Sequence, residues 1–257
     1  MIKRVYQSLF FILAMMLMVW PATSQSDAIL GQIDRQVSFM EADFSAEYAV
    51  TRFVPNRGTS EETLAMFRRD RDDKYLVLFL EPESRRGKGY LKIGNNLWVY
   101  DPDSSRFNVT SARDRFQDST IRNADFEPSN LAAQYRIVAR ESEVLGAYNT
   151  EVLSLEARTD SAPFERRKIW VDENLLIRKI EDYSASGQLL RTSAIPSYQS
   201  VSGRYVPQTI VFIDALRGAE VNGSFVSERT VITVTKPSFN DVPDVVFTQA
   251  FLERVGD

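Results

Sequence analysis

Hydrophobic and polar residues alternate along most of this chain, in short runs bounded by glycine, asparagine, aspartate and proline. Alternation with a period of two is typical of strands with one buried face, and the spacing from run to run is that of adjacent antiparallel strands. Residues 74–80 are apolar on both faces, which indicates a strand covered on both sides. The pattern predicts about eleven strands between residues 44 and 236.

Three segments have helical spacing instead. The first follows Ser26 or Asp27, either of which can cap a helix. Its apolar residues recur every three or four positions and predict one buried face, formed by Ile29, Ile33, Val37 and Met40. Shorter helices are predicted within 129–135 and 244–251, where Asp244 can cap the second of them.

These elements show no strand–helix–strand alternation, which favours a single large antiparallel sheet with helices on one face. A sheet of this width must curl, so we expect a mainly β, curved antiparallel half-barrel whose helices cover the concave face. Helices laid across such a barrel close a cavity, and the mouths of barrels are where apolar ligands bind.

The first 24 residues predict export. Lys3 and Arg4 precede an apolar run over 9–20, Pro21 breaks the run, and small residues follow it. This is the pattern of a signal peptide cleaved near Ser24, and the run is shorter than the ~20 residues that span a bilayer. We therefore predict a signal peptide at 1–24, a single domain at 25–257 and a periplasmic location.

The composition narrows the function. The chain contains no His and no Cys, which excludes Ser-His-Asp and Cys-His nucleophiles and ordinary zinc sites. Carboxylate-only mechanisms, Ser-Lys pairs and calcium sites survive this filter, but the short acidic run 70–73 lacks the ligand pattern of a calcium loop. We expect no metal and no cofactor.

The chain has 31 Lys+Arg and 35 Asp+Glu. Removal of the signal peptide, with its two basic residues, gives the mature protein a net charge of about −6. This acidic charge argues against nucleic acid as a partner.

Several segments resemble one family. They are 86–92 with 96–102, then 113–116, Ser119 and 123–126, and finally 247–253. Together they are similar to outer-membrane lipoprotein-sorting proteins, the LolA-like periplasmic carriers. The resemblance implies a half-barrel lidded by helices that holds acyl chains between sheet and lid, without catalytic residues.

The resemblance also implies partners. Such carriers accept a lipoprotein or lipid from an inner-membrane transporter, of the ABC or RND type, and pass it toward the outer membrane; we expect a monomer. They use an arginine on an early strand to hold the lid shut. Arg52 and Arg68 are both possible counterparts, and no local motif selects one of them.

Strand alternation gives six candidate cavity residues if Lys74, Lys92 and Lys179 point outward, namely Tyr75, Val77, Phe79, Leu91, Ile93 and Ile180. The apolar face of the first helix adds Ile33 and Val37, and the large aromatic residues on predicted strands add Trp98, Tyr100 and Trp170. The large aromatic residues among them also fit plain core packing. Candidate docking residues for a partner or an anionic headgroup are Arg85, Arg86, Lys88, Arg113 and Arg115, which also fit solvated turns.

Two other functions fit the same sequence. A lipid- or lipoprotein-sensing regulator has the same fold, but such sensors usually carry a second domain after the half-barrel, and here one short helix follows the last predicted strand. A carboxylate-dependent hydrolase needs two carboxylates across a cleft, and no acidic pair stands out on an apolar strand face. The sequence therefore favours a carrier over a sensor, and both over an enzyme.

Overall fold

A computed structural model describes residues 23–256, with side chains from residue 28 onward. The predicted signal peptide therefore lies outside the described residues, apart from Thr23 and Ser24. The helices are α1 (Thr23–Val37), α2 (Leu131–Gln134) and α3 (Gln249–Gly256). Single 3₁₀ turns cover Asp70–Asp72, Glu83–Arg85, Phe116–Asp118, Asn123–Phe126 and Asp244–Phe247.

The described chain contains thirteen strands in one sheet. They are β1 (Phe44–Val54), β2 (Gly58–Arg69), β3 (Lys74–Glu81), β4 (Gly89–Ile93), β5 (Asn96–Asp101), β6 (Arg106–Val109), β7 (Tyr135–Leu145), β8 (Tyr148–Ala157), β9 (Arg166–Asp172), β10 (Ile177–Tyr183), β11 (Leu189–Val201), β12 (Arg204–Val221) and β13 (Ser224–Ser238).

The strand order shows how the chain builds this sheet. It runs β6-β5-β4-β3-β2-β1-β13-β12-β11-β10-β9-β8-β7, and every neighbouring pair is antiparallel. Two consecutive meanders are thus joined where β1 pairs with β13, and the sheet ends in two free edges at β6 and β7. The predicted mainly β, curved and unclosed antiparallel architecture is confirmed, with more strands than we counted from the sequence.

The inner face of the sheet, which we define as the face beneath α1, has two covers. Over β7–β10, Leu30 and Ile33 of α1 pack into an apolar cluster with Leu153 and Ile169. Over β1–β5, the cover is the loop 111–128, which we call the inner loop. Its buried aromatic residue Phe116 stacks on Phe79 of β3, with ring centroids 5.6 Å apart.

The outer face of the sheet is covered at one end by the C-terminal segment. Phe247 and Leu252 pack there with Leu76 of β3 in a third apolar cluster. A Cβ added to Gly89 would lie 2.3 Å from Leu252 Cδ2, so the absence of a side chain at this position lets α3 approach β4. Strand β3 is therefore buried on both faces, as its apolar sequence predicts.

Two elements differ from the sequence-based expectation. Strand β7 was not predicted, because its apolar and charged residues do not alternate and almost all of those beyond Tyr135 are exposed at a free edge. The apolar face of α1 was expected to reach Met40, but the helix ends at Val37 and Met40 is 55% exposed. This early end coincides with the ion pair between Arg68, near the end of β2, and Asp70 of the following 3₁₀ turn.

Candidate functional site: an apolar cavity under a helical lid

A cavity of about 220 Å³ lies between the inner face and its covers. Its sheet wall comes from β1 and β10–β13 and is largely apolar, formed by Phe44, Tyr48, Ile177, Ile180, Ile195, Tyr198, Val206, Pro207, Ile210 and Val234. The opposite wall combines the end of α1, at Val37 and Phe39, with the segment 127–134. Apolar walls with polar groups at a few positions are typical of a site for an apolar ligand.

Helices α1 and α2, which together we call the lid, are tied to each other by one carboxylate. Asp34 of α1 accepts hydrogen bonds from the backbone N–H groups of Leu131 and Ala132, at 2.9 and 3.0 Å. It also accepts one from the Ser129 hydroxyl at 2.6 Å. Asp34 thus satisfies N–H groups that the short helix α2 leaves free at its start, and the two helices form one unit.

A buried arginine ties the lid to the sheet. Arg68 on β2 donates to the backbone oxygen of Val37, the last residue of α1, at 3.0 Å. Its guanidinium also pairs with Asp70 at 2.6 and 2.8 Å, and Asp70 in turn accepts from the N–H of Phe39 at 2.6 Å. This pair, which we call the latch, binds backbone groups on either side of Ser38 and explains why α1 stops at Val37.

The structure therefore distinguishes the two candidate arginines. Arg68 contacts the lid, and its guanidinium lies 5.0 Å from the centre of the Phe39 ring. Arg52 instead pairs with Glu228 on β13 at 3.2 Å and has no bond to either lid helix among the described residues. Of the two arginines, Arg68 is therefore the one that ties the lid to the sheet.

We expect Arg68→Met to lower the free energy of unfolding by about 1–3 kcal/mol, because Asp70 would keep a buried carboxylate without its cation. The Val37 carbonyl would also lose its donor, so the lid should exchange amide hydrogens faster than in the wild type. Urea unfolding and hydrogen exchange of α1 measure the two effects. Arg57→Met, at an exposed turn, is the matched control. Unchanged exchange in α1 would contradict the latch.

The cavity walls carry the neutral hydroxyls of Tyr48 and Tyr198 and the carboxylate of Glu127, one oxygen of which accepts no hydrogen bond. Burial raises the pKa of Tyr48 to about 12 and raises that of Tyr198 as well, so both stay protonated at neutral pH. Burial also raises the pKa of Glu127, against the opposing charge of Lys92 at 3.9 Å. Glu127 Oε1 has no hydrogen-bond partner, so this carboxylate is the wall group most in need of a donor.

A network of buried ion pairs supports one wall. Asp182, which is fully buried, accepts from Arg167 at 2.7 Å and from Arg191 at 3.0 Å. Arg191 also binds both oxygens of Asp125, which lines the cavity, at 2.5 and 3.0 Å. Burial acts to lower the pKa of Arg191, but Asp125 and Asp182 outweigh it and hold the pKa above its ordinary value. The network fixes the inner loop to β10 and β11.

The structure divides the candidate cavity residues into three groups. Val37 and Ile180 line the cavity, and Ile33 packs beside it under the lid. Three others lie on the inner face beneath the inner loop, namely Tyr75, Val77 and Phe79. The remaining five lie on the outer face and cannot reach the cavity: Leu91, Ile93, Trp98 and Tyr100 pack near α3, and Trp170 lies opposite the cluster beneath α1.

The misplacement on β4 and β5 follows from one lysine. Lys92 was expected to point outward, but it is only 8% exposed and lies directly opposite Tyr75 on the inner face. It is held there by Asp73 and Glu127. With a period of two, placing Lys92 inward turns Leu91 and Ile93 outward, and their partners on β5 with them.

The candidate docking residues do not form one surface patch. Arg85 pairs with Glu62, and Arg86 pairs with Glu83 at 3.0 Å in an exposed turn, with Lys88 nearby. On the inner loop, Arg113 donates to backbone oxygens, including that of Ala162 at 2.7 Å. Arg115 pairs with the buried Asp214 at 2.7 Å. Of these five residues, Arg115 lines a small pocket together with Arg122 and Arg191.

Sequence reasoning missed most of the sheet wall. The residues concerned are on β11 and β12, such as Ile195 and Ile210, where the pairing register shifts between Ala194 and Tyr198. Such irregularities interrupt the period of two, so alternation could not assign these positions. Phe39 was missed because the predicted helix ran past it.

No helix in the described range 23–256 is both long and apolar enough to cross a membrane.

A wide, unclosed antiparallel sheet with a lid over an apolar cavity defines the class of LolA-like half-barrels. A LolA superfamily protein from Nitrosomonas europaea is 25% identical, with a TM-score of 0.72 over 88% of this chain and 98% of its own. An outer membrane lipoprotein-sorting protein domain from Vibrio parahaemolyticus is 17% identical, with a TM-score of 0.77 over 90% and 100%. A DUF1329 family protein from Desulfovibrio piger is 16% identical, with a TM-score of 0.77 over 90% and 98%.

The comparison with curated proteins finds no match. A family model matches residues 71–254, and its description reads "-like: Uncharacterized protein". The chain belongs to that family, and its fold is the LolA-like, lipoprotein-sorting fold that the sequence motifs predict.

Proposed function

We propose that this protein is a periplasmic carrier that binds acyl chains of a lipoprotein or lipid and moves them from an inner-membrane transporter toward the outer membrane. The observation that carries the proposal is the apolar cavity of about 220 Å³ beneath a latched lid. We further propose that residues 1–24 are a cleaved signal peptide, that 25–257 act as a single-domain monomer, and that the protein is not an enzyme.

The physical chemistry of acyl chains explains why such a carrier is needed. Burial of an acyl chain is worth roughly 0.8 kcal/mol per methylene, so a chain of ~16 carbons in water is unfavourable by on the order of 10 kcal/mol. A lined cavity offsets most of this free energy, and an ABC or RND transporter would supply the rest at loading. The carrier itself needs apolar walls and a movable cover, and no catalytic group.

The size of the cavity indicates how loading proceeds. At about 220 Å³ it is smaller than the ~300–1,000 Å³ of typical ligand pockets. A cavity of this size is too small for a whole acyl chain, so in this proposal the chain enters only when the lid moves. Because Asp34 joins α1 to α2, the two helices move together, and the latch at Arg68 is the contact that must open.

We expect the mature protein, purified from its own periplasm, to carry an acyl ligand. Native mass spectrometry should show an added mass that organic extraction removes, and the extract identifies the cargo as phospholipid, fatty acid or acylated peptide. A ligand-free mass that is unchanged after incubation with lipids would contradict the proposal and favour a protein-binding sensor.

A further inference from the structure

We infer that a second, smaller pocket, formed by Arg115, Arg122 and Arg191, binds a phosphate group. It lies between the inner loop and strands β11 and β12, and its volume is about 60 Å³. At ~10–15 Å³ for each water, this volume corresponds to about four to six water molecules, comparable to the four oxygens of a phosphate. We call it the arginine pocket.

The backbone holds two of these arginines face to face. Arg115 and Arg122 are partners in an isolated antiparallel bridge within the inner loop. Like charges placed directly opposite in such a pair are destabilising, so the arrangement calls for an anion. Arg115 has one, since its guanidinium pairs with Asp214 at 2.7 Å. It also donates to the backbone oxygen of Ser119 at 3.0 Å.

The guanidinium of Arg122 has no carboxylate partner among the described residues, although the backbone N–H of this residue donates to Asp125 at 2.7 Å. Its guanidinium donates to the backbone oxygen of Arg113 and lies 4.5 Å from the centre of the Phe164 ring. The side chain is half-buried, and this burial, with the nearby charges of Arg191 and Arg115, lowers its pKa. A partly desolvated cation beside two like charges gains most from an added anion.

Arg191 contributes positive charge to the pocket, but its N–H groups are already used in hydrogen bonds. Its three nitrogens already bind Asp182, Asp125 and the backbone oxygen of Thr120. The local balance of charge remains positive. Four guanidiniums, of Arg115, Arg122, Arg167 and Arg191, face three carboxylates, of Asp125, Asp182 and Asp214.

A phosphate group matches both the net positive charge of the pocket and its unused N–H donors. Guanidinium groups match phosphate oxygens with paired N–H donors, and Arg115 and Arg122 both keep N–H groups that no described residue uses. The remaining lining consists of Thr120, the carboxylate of Asp214, which Arg115 neutralises, and the apolar side chains of Phe164, Leu190 and Leu216, beside which an organic substituent on the phosphate can lie. The phosphate can belong to a lipid headgroup or be free inorganic phosphate.

Calorimetric titration of the full mature chain tests the site with three probes. They are inorganic phosphate, a monoacylglycerol phosphate below its micelle concentration, and the uncharged monoacylglycerol with the same chain. We expect Arg122→Gln to weaken binding of at least one phosphate probe by about tenfold or more. Arg106→Gln removes an equal charge from the exposed edge strand β6 and should leave this binding unchanged.

The three probes also distinguish a lipid headgroup from free phosphate, and the arginine pocket from the acyl cavity. If Arg122→Gln weakens only the acylated phosphate, the source is a lipid headgroup; if it weakens inorganic phosphate as well, free phosphate is sufficient. The inference that the arginine pocket binds phosphate is wrong if neither phosphate probe binds, or if both bind the wild type and Arg122→Gln equally. Failure of the uncharged monoacylglycerol to bind counts against the acyl cavity and leaves the pocket intact.

A measurement on the wild type alone keeps the test valid if the variant fails to fold. Phosphate at low millimolar concentration should raise the thermal midpoint of unfolding above that in chloride at equal ionic strength, and the rise should saturate, because a site on the native state fills whereas the general stabilisation by phosphate grows with its concentration. Equal midpoints in phosphate and chloride across a concentration series would overturn the inference.

Discussion

Asp182→Ala is expected to lower the free energy of unfolding by about 3–5 kcal/mol, the largest effect of any single substitution considered for this protein. The carboxylate is fully buried and accepts from the guanidiniums of Arg167 and Arg191. Without it, two desolvated cations would face each other with only Asp125 to compensate. Removing one partner of a buried pair is costly for this reason, whatever the net value of the intact pair.

Urea unfolding followed by circular dichroism measures this loss. Asp241→Ala, at an exposed position, is the matched control and should stay within about 0.5 kcal/mol of the wild type. Adding Arg167→Met to Asp182→Ala should recover part of the stability, because it removes one of the unpaired cations. A loss below about 1 kcal/mol for Asp182→Ala would show that water already screens the network.

Ile180→Trp is expected to weaken binding of an acyl ligand on the order of a hundredfold. Ile180 lines the cavity from β10, so the larger indole would take up space that the chain needs. Exclusion of about four methylenes, at about 0.8 kcal/mol each, costs about 3 kcal/mol of binding free energy. The loss should appear as a weaker dissociation constant, with the fold retained.

A fluorescent fatty-acid probe titrated into the purified protein measures this effect, with unfolding midpoints recorded beside it. Val138→Trp, on the free edge strand β7 and 50% exposed, adds the same indole away from the cavity and should bind like the wild type. Equal affinity of the Ile180→Trp variant would mean that acyl chains bind elsewhere or not at all.

Much of the sheet could be predicted because its strands carry their own signals. Strand β3 is apolar on both faces, and the structure covers one face with the inner loop and the other with the C-terminal segment. Strand β7 could not be found in this way. This edge strand gains its hydrogen bonds from one neighbour and is exposed on both faces beyond Tyr135, so burial imposes no alternation of apolar and polar residues on its sequence.

The site was less predictable than the sheet, because burial of charge depends on contacts distant in sequence. Lys92 faces inward because Glu127, on the inner loop, meets it there. Arg68 contacts the lid through the carbonyl of Val37, 31 residues earlier in the chain. A charged residue on a strand suggests a solvated face when only its neighbours in sequence are known, and this rule fails wherever a partner is supplied by another element.

The pairing of β1 with β13 has a consequence for the order in which the chain can fold. The two strands meet in the middle of the sheet, and paired residues such as Glu47 and Thr235 are 188 positions apart. Until the ribosome has made β13, the first meander keeps β1 as a bare edge, and closure of so long a loop is slow. A nascent chain built in this way stays incompletely folded until synthesis is nearly finished, and, if residues 1–24 direct export as proposed, it keeps the extended state in which a translocon accepts a polypeptide.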